Sequence, residues 1–200
     1  MSDAIEFWFD FSSAYAFFAA REIDNLGARV GRPVRWRPYM LGTAFKVTGA
    51  RGLSSTPLKK DYARLDWARL ARRHGIAFSL PPAHPAVALA ATRAFYWIEQ
   101  AQPDKAVPFA RAVFDTYYTK GLDTADGEAV ATFATGLGVN GTALRAGLAD
   151  PAIKELTRAV GEEAVARGVF GSPWFFVDGE PFWGHDRMAM MTDWISRGGW

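Results

Sequence analysis

Val169-Phe170-Gly171-Ser172-Pro173-Trp174-Phe175-Phe176-Val177-Asp178-Gly179-Glu180-Pro181-Phe182-Trp183-Gly184-His185-Asp186-Arg187 reads as a bend, two β-strands and the start of a helix. Pro173 has no amide proton and a weakened trans preference, so Ser172-Pro173, ahead of an aromatic and β-branched run, is where a cis peptide would expose the carbonyl and amide of Ser172. Those groups can pair with a peptide-like ligand. Asp178-Gly179 is a two-residue hairpin signal. Trp183-Gly184-His185-Asp186 then supplies a tight turn and a helix N-cap whose free amides favour a carboxylate. A Gly-x-Pro bend also serves as a purely structural device, so the stretch needs a second half before it defines a site.

The amino terminus supplies that half. Ile5-Glu6-Phe7-Trp8-Phe9-Asp10-Phe11 alternates as a strand, Ser12-Ser13 breaks it, and Ala14 to Ile23 continues as a helix. A hydroxyl therefore stands at a strand-to-helix turn, where the helix N-terminus stabilises an anion. The chain has no cysteine, so any reactive sulfur must arrive with a ligand. A serine hydroxyl can donate to a bound thiolate and lower the thiol pKa of the ligand; either serine can equally be a simple N-cap.

Taken together, the two ends resemble the 2-hydroxychromene-2-carboxylate isomerase family, which is close to the kappa-class glutathione transferases in the thioredoxin superfamily. The family's Asp-Phe-x-Ser-Pro-Tyr-Ser is similar to Asp10-Phe11-Ser12-Ser13-Ala14-Tyr15-Ala16, which carries its catalytic serine onto Ser13. Its Val-Phe-Gly-Val-Pro-Thr and Phe-Trp-Gly-Asn-Asp-Arg are similar to Val169–Trp174 and Phe182–Arg187. Its Pro-x-Lys-x-x-Tyr-x-x-x-Asp-x-x-Arg is matched from Pro57 to Arg69.

The resemblance implies a glutathione cofactor, with Ser13 at the sulfur, Ser172 and Pro173 at the cysteinyl part, and Trp183, Gly184, His185 and Asp186 around the γ-glutamyl end. It further implies an aromatic carboxylate substrate near Lys46, Ser54, Ser55 and His84, and a homodimer. The implied reaction is cis-trans isomerisation of 2-hydroxychromene-2-carboxylate to trans-O-hydroxybenzylidenepyruvate, in which the thiol adds to a conjugated carbon and leaves again. A kappa-like transferase that leaves glutathione attached, and a non-catalytic glutathione- or peptide-binding module, are the alternatives.

Three departures accompany the match. The family's Pro and second Ser are Ala14 and Ala16, which alters how the turn is fixed. Its Phe-Pro-Val-Asn is His84-Pro85-Ala86-Val87, a lost amide that points to a different second substrate. His185 replaces the Asn of the glutathione motif, keeping a donor and adding pH sensitivity.

The order of signals predicts an α/β chain: a thioredoxin-like domain (1–41 and 168–200) interrupted by an all-helical insertion (42–167). Strand, helix and a second strand over Pro33–Tyr39 open it. Helical spacing then runs over Leu58–His74, Pro85–Ala101, Asp104–Lys120, Asp126–Leu137 and Pro151–Arg167, with a shorter helix opening at Asn140 and a last one over His185–Ser196. A cleft between the two parts is the expected ligand site. Leu41–Gly52 reads as a Gly-rich, mobile loop in which Lys46 either meets a carboxylate or is a surface cation. Trp67, Tyr96, Trp97, Tyr117 and Tyr118 fall at helical spacing as core residues.

Composition narrows the function classes. With 200 residues, 50% hydrophobic and 22% charged, the chain buries a sizeable core. A net charge of +2 is too small to argue for nucleic acid, and Arg64, Arg69, Arg72 and Arg73 read as a solvated helix face. No apolar run reaches the ~18 residues of a membrane helix, and no basic leader precedes the first strand, so a cytoplasmic protein is expected. Three histidines without cysteine or a His-x-x-Glu-His pattern predict no metal set from His74 and His84.

Overall fold

The computed structural model describes residues 4–200. The apolar amino-terminal run forms β1 (Ile5–Phe9), and its neighbours follow from chain order. Helix α1 (Ala14–Arg29) crosses over to β2 (Val34–Pro38), which pairs parallel to β1 with Ile5 opposite Val34. The carboxy-terminal hairpin of β3 (Trp174–Val177) and β4 (Glu180–Trp183) adds antiparallel to the other edge of β1, with Phe7 opposite Phe175, so the order is β2-β1-β3-β4. Asp178 at φ 52° and Gly179 at φ 86° make the hairpin turn with two positive φ values, the geometry that Asp-Gly favours.

Between β2 and β3 lie α2 (Leu41–Thr48), α3 (Lys59–His74), α4 (Leu89–Ala101), α5 (Ala106–Lys120), α6 (Gly127–Gly136), α7 (Gly141–Ala149) and α8 (Pro151–Ala166). Asp126, Asn140 and Asp150 cap α6, α7 and α8 with their side chains, and Gly75 and Gly121 end α3 and α5 in the left-handed region. Helix α9 (Met188–Arg197) closes the chain. This is the thioredoxin-like α/β fold with inserted helices that the sequence predicts.

Aromatic rings join sheet to helices. Phe9 and Phe11 meet Phe114 of α5, and Phe17 of α1 meets Phe78, Phe114 and Tyr118. Truncating a ring such as Phe17, buried without exposure, costs about 3–5 kcal/mol by the usual effect of a core Phe→Ala change. On the other face, Trp8 lies beneath the guanidinium of Arg37, 4.4 Å from the ring centre. The core thus fixes the first turns of α1.

Three boundaries differ from expectation. The Leu41–Gly52 loop is helical as far as Thr48, because Ala44 is buried and Thr43 packs against Gly161 of α8. The helix expected from Pro85 begins only at Leu89, since the amide of Ala86 is drawn to the Tyr117 hydroxyl at 3.1 Å. The segment from His185 starts as a 3-10 turn (His185–Arg187) without a side-chain cap, not as a capped α-helix.

Candidate active site

The site grows from the end of β1. Asp10 is buried at 4% exposure; one of its oxygens accepts from the amide and hydroxyl of Ser12 at 2.8 and 2.7 Å, the other from the Leu41 amide at 2.9 Å. Burial pushes this carboxyl above its usual range, and the bonds from Ser12 and Leu41 pull it back. Asp10 thereby joins the strand end, the turn into α1 and the first residue of α2.

Ser13 is the N-cap of α1, with φ −89° and ψ 111°, and its oxygen accepts from the Ala16 amide at 3.3 Å. The turn therefore stays fixed with Ala14 and Ala16 in place of the family's Pro and Ser. The Ser13 hydroxyl also donates to the Ser172 carbonyl at 2.7 Å, while the Ser172 hydroxyl accepts from the Asp10 amide at 2.9 Å. Ser172–Pro173 is cis, and the Pro173 carbonyl accepts from the Gly184 amide at 3.0 Å. Ser13, Ser172, Pro173 and Gly184 form one constellation from opposite ends of the chain.

Its rim is aromatic on one side and acidic on the other. Trp183, half exposed, packs on Phe170 and crosses Gly171 so closely that a Cβ there would clash with the indole. Gly184 at φ 111° holds a conformation that side chains rarely adopt. The Asp186 side chain is 74% exposed. Nearby, the Tyr15 hydroxyl donates to Asp66 at 2.8 Å; burial first, then Asp66 and Asp186, push this phenol upward.

His185 is largely enclosed by protein groups. Its side chain is only 14% exposed, its ring lies beside Phe18 and His74, and Nε2 stands 3.7 Å from Glu22, so the ring faces protein groups on α1 and α3 instead of standing open to a ligand carboxylate. Burial pushes its pKa down and Glu22 pulls it up.

A second polar group contains two of the expected substrate residues. His84 Nε2 lies 2.8 Å from the Ser54 hydroxyl and Nδ1 lies 3.0 Å from the Tyr117 hydroxyl, with the Trp67 ring edge-on. Burial first, then the Arg64 charge, hold His84 down at about 4, so at neutral pH one ring nitrogen donates and the other accepts. Burial pushes Tyr117 up to about 12, and the Asp10 charge adds to that rise, which relates this group electrostatically to the Ser13 turn. Lys46 and Ser55 are exposed, Lys46 on α2 and Ser55 in the turn Leu53–Ser55. A cavity of about 460 Å³ lies between Arg64 and Phe78–Pro82. Another of about 240 Å³ lies between α1 and α5, and neither includes Ser13 in its lining.

Tyr15, Asp66, Asp10 and Tyr117 are members of these groups that residue patterns alone did not single out as site residues. Asp66 stands inside the Pro57–Arg69 match, and Asp10 and Tyr15 inside the Asp10–Ala16 match, which are the signals pointing to them; Tyr117 becomes visible only when α5 is brought against His84.

Comparison with known proteins agrees with this architecture. Over 197 residues the chain is 28% identical to a protein of Sphingobium xenophagum named 2-hydroxychromene-2-carboxylate isomerase, covering 98% of this chain and 99% of that one. It is 24% identical over 205 residues to glutathione s-transferase kappa 2 of Caenorhabditis elegans, covering 96% and 91%. A solved 2-hydroxychromene-2-carboxylate isomerase shares the fold, with a TM-score of 0.86, 24% identity and coverage of 97% and 95%. Residues 4–196 match the DSBA-like thioredoxin domain, and the chain belongs to that family.

Proposed function

We propose that the protein is a glutathione-dependent isomerase that converts 2-hydroxychromene-2-carboxylate, or a close analogue, to trans-O-hydroxybenzylidenepyruvate. The observation that carries this reading is the Ser13 hydroxyl, held at the N-terminus of a 16-residue helix against the Ser172 carbonyl in a chain without cysteine. The names of the full-length relatives support the reaction class and the cofactor.

When bound, glutathione supplies a thiolate whose reversible addition to a conjugated double bond lets that bond rotate. The protein's part is positional. The Ser13 O–H turns from the Ser172 carbonyl to the sulfur, and the carbonyl so released accepts from the cysteinyl amide of the ligand. Free amides in the first turn of α1 favour the charged form of the thiol. Asp186 offers a carboxylate to the γ-glutamyl ammonium, with Trp183 as the apolar wall beside it. Ser54 and His84 receive the aromatic substrate, Lys46 and Ser55 approach it from the surface, and Lys46 meets its carboxylate as a point charge.

In this reading the unit 1–41 with 168–200 holds the cofactor and 42–167 supplies the substrate side. The protein works in the cytoplasm, where glutathione is kept as the thiol. It is a homodimer. Exposed apolar side chains at the start of α3 support that state: Tyr62 is 62% and Leu65 64% exposed one turn apart on the helix, and Leu58, just before it, is 87% exposed. Among the described residues no helix is long and apolar enough to cross a membrane.

The test is to mix the protein with glutathione and 2-hydroxychromene-2-carboxylate and follow the ultraviolet spectrum while titrating free thiol. Isomer formation with thiol conserved supports the isomerase. Thiol consumed in proportion to product identifies a transferase, and glutathione binding without conversion of the substrate identifies a binding module.

A further inference from the structure

Three donor groups meet on the outer side of α1. Glu22 of α1, His74 at the last residue of α3 and His185 in the turn before α9 place one ligand atom each within 4.8 Å of one another. Glu22 Oε1 lies 3.3 Å from His74 Nδ1 and 3.7 Å from His185 Nε2. Two donors bound to one Zn²⁺ at about 2.0–2.1 Å in tetrahedral geometry stand roughly 3.4 Å apart, so both separations are of the right size for a shared ion.

The state of His185 gives an independent reason. Its Nε2 is buried and has no hydrogen-bond partner among the described residues, and 3.7 Å is too long for a direct bond to Glu22. A buried polar atom of this kind calls for an ordered water or an ion. Phe18 lies against both imidazoles, with ring centres 6.2 Å from each, and gives the group an apolar wall. Glu22 remains 42% and His74 27% exposed in their side chains, which leaves a route in from solvent.

We propose that Glu22, His74 and His185 form a binding site for a divalent transition metal of the zinc class. Two imidazoles and one carboxylate match the borderline-soft preference of Zn²⁺ and do not match Mg²⁺ or Ca²⁺, which take oxygen ligands. Three protein ligands leave a fourth position for water. Occupancy ties α1, α3 and the turn carrying Asp186 into one clamp. The site does not depend on the glutathione reading, since none of its geometry involves Ser13 or Ser172.

The untagged full-length protein, freed of metal with a chelator, is titrated with Zn²⁺ by calorimetry in the absence of glutathione, with Mg²⁺ as control and Co²⁺ as spectroscopic probe. The expected result is one Zn²⁺ per chain, visible Co²⁺ absorption and a rise in the melting midpoint with Zn²⁺. His74→Ala, at a partly exposed helix end, and Glu22→Gln each weaken Zn²⁺ at least tenfold and abolish the Co²⁺ bands, with far-ultraviolet circular dichroism unchanged. Equal Zn²⁺ affinity in wild type and His74→Ala, or no stoichiometric binding to the wild type, overturns the proposal.

Discussion

The hydroxyl of Ser13 donates to the backbone carbonyl of Ser172 at 2.7 Å across a sequence separation of 159 residues. The same oxygen caps α1, so one atom serves both the start of a helix and the junction of the two chain ends. Removing it separates those duties experimentally. Ser13→Ala is expected to lower turnover at saturating glutathione about 10- to 150-fold, the effect of losing a charged hydrogen bond of roughly 1.5–3 kcal/mol. The melting midpoint falls as well, by the equivalent of about 1 kcal/mol for a lost N-cap. Unchanged turnover in steady-state assays refutes the thiolate role while leaving the cap intact as an idea.

Asp186 is exposed, 3.8 Å from the Arg187 guanidinium, and its charge reaches the Tyr15 hydroxyl; its free oxygen is the one offered to an ammonium ligand in this reading. Asp186→Ala is expected to weaken glutathione about 2- to 10-fold and to leave a Cys-Gly analogue, which lacks the γ-glutamyl group, unaffected. Calorimetry with both ligands decides. An equal loss for the two means that Asp186 acts on the turn and not on the ligand.

His84 carries a pH signature. Its folded pKa, about 4, lies below the ordinary value of 6.5, so in the window between them the unfolded chain binds the proton and the folded one does not. Stability therefore falls as pH drops from 6.5 towards 4. In His84→Gln the acid-side decline in melting midpoint should be shallower than in the wild type. Parallel curves for the two proteins across this range rule out a buried neutral His84.

The exposed row on α3 bears on assembly. Leu65→Glu places a charge one helical turn from Tyr62 on this face and is expected to convert dimer to monomer in sedimentation equilibrium without changing the far-ultraviolet spectrum. A monomeric wild type contradicts the homodimer reading outright.

Much of the fold is legible because its signals are local. Helices α3, α5, α6 and α8 end at Gly or begin near Asp, Asn or Pro, and their apolar spacing survives averaging over a dozen residues. Helix α2 is hidden because Gly42, Gly49 and Gly52 outweigh a short amphipathic run whose stability comes from packing on α8. Ser172 and Gly184 could be named from turn chemistry, whereas only the family resemblance separates Ser13 from its neighbour Ser12. Their union could not be seen without the sheet, and neither could Tyr15 with Asp66, nor Glu22 with His74 and His185. The inward turn of the His185 ring is a tertiary outcome that no neighbouring residue announces.

Strand β1 sits between a partner made almost at once and a partner made almost last. During synthesis β2 is available within the first 40 residues, whereas β3 emerges only after residue 174, so a nascent chain carries β1 with one open edge for most of its elongation. That edge is rich in Phe and Trp, the kind of surface that neighbouring chains add to. The emergence of β3, not the folding of the helices, is thus the event that completes the sheet and creates the serine junction. Carboxy-terminal truncation before residue 174 should accordingly yield a chain that is helical, sticky and inert.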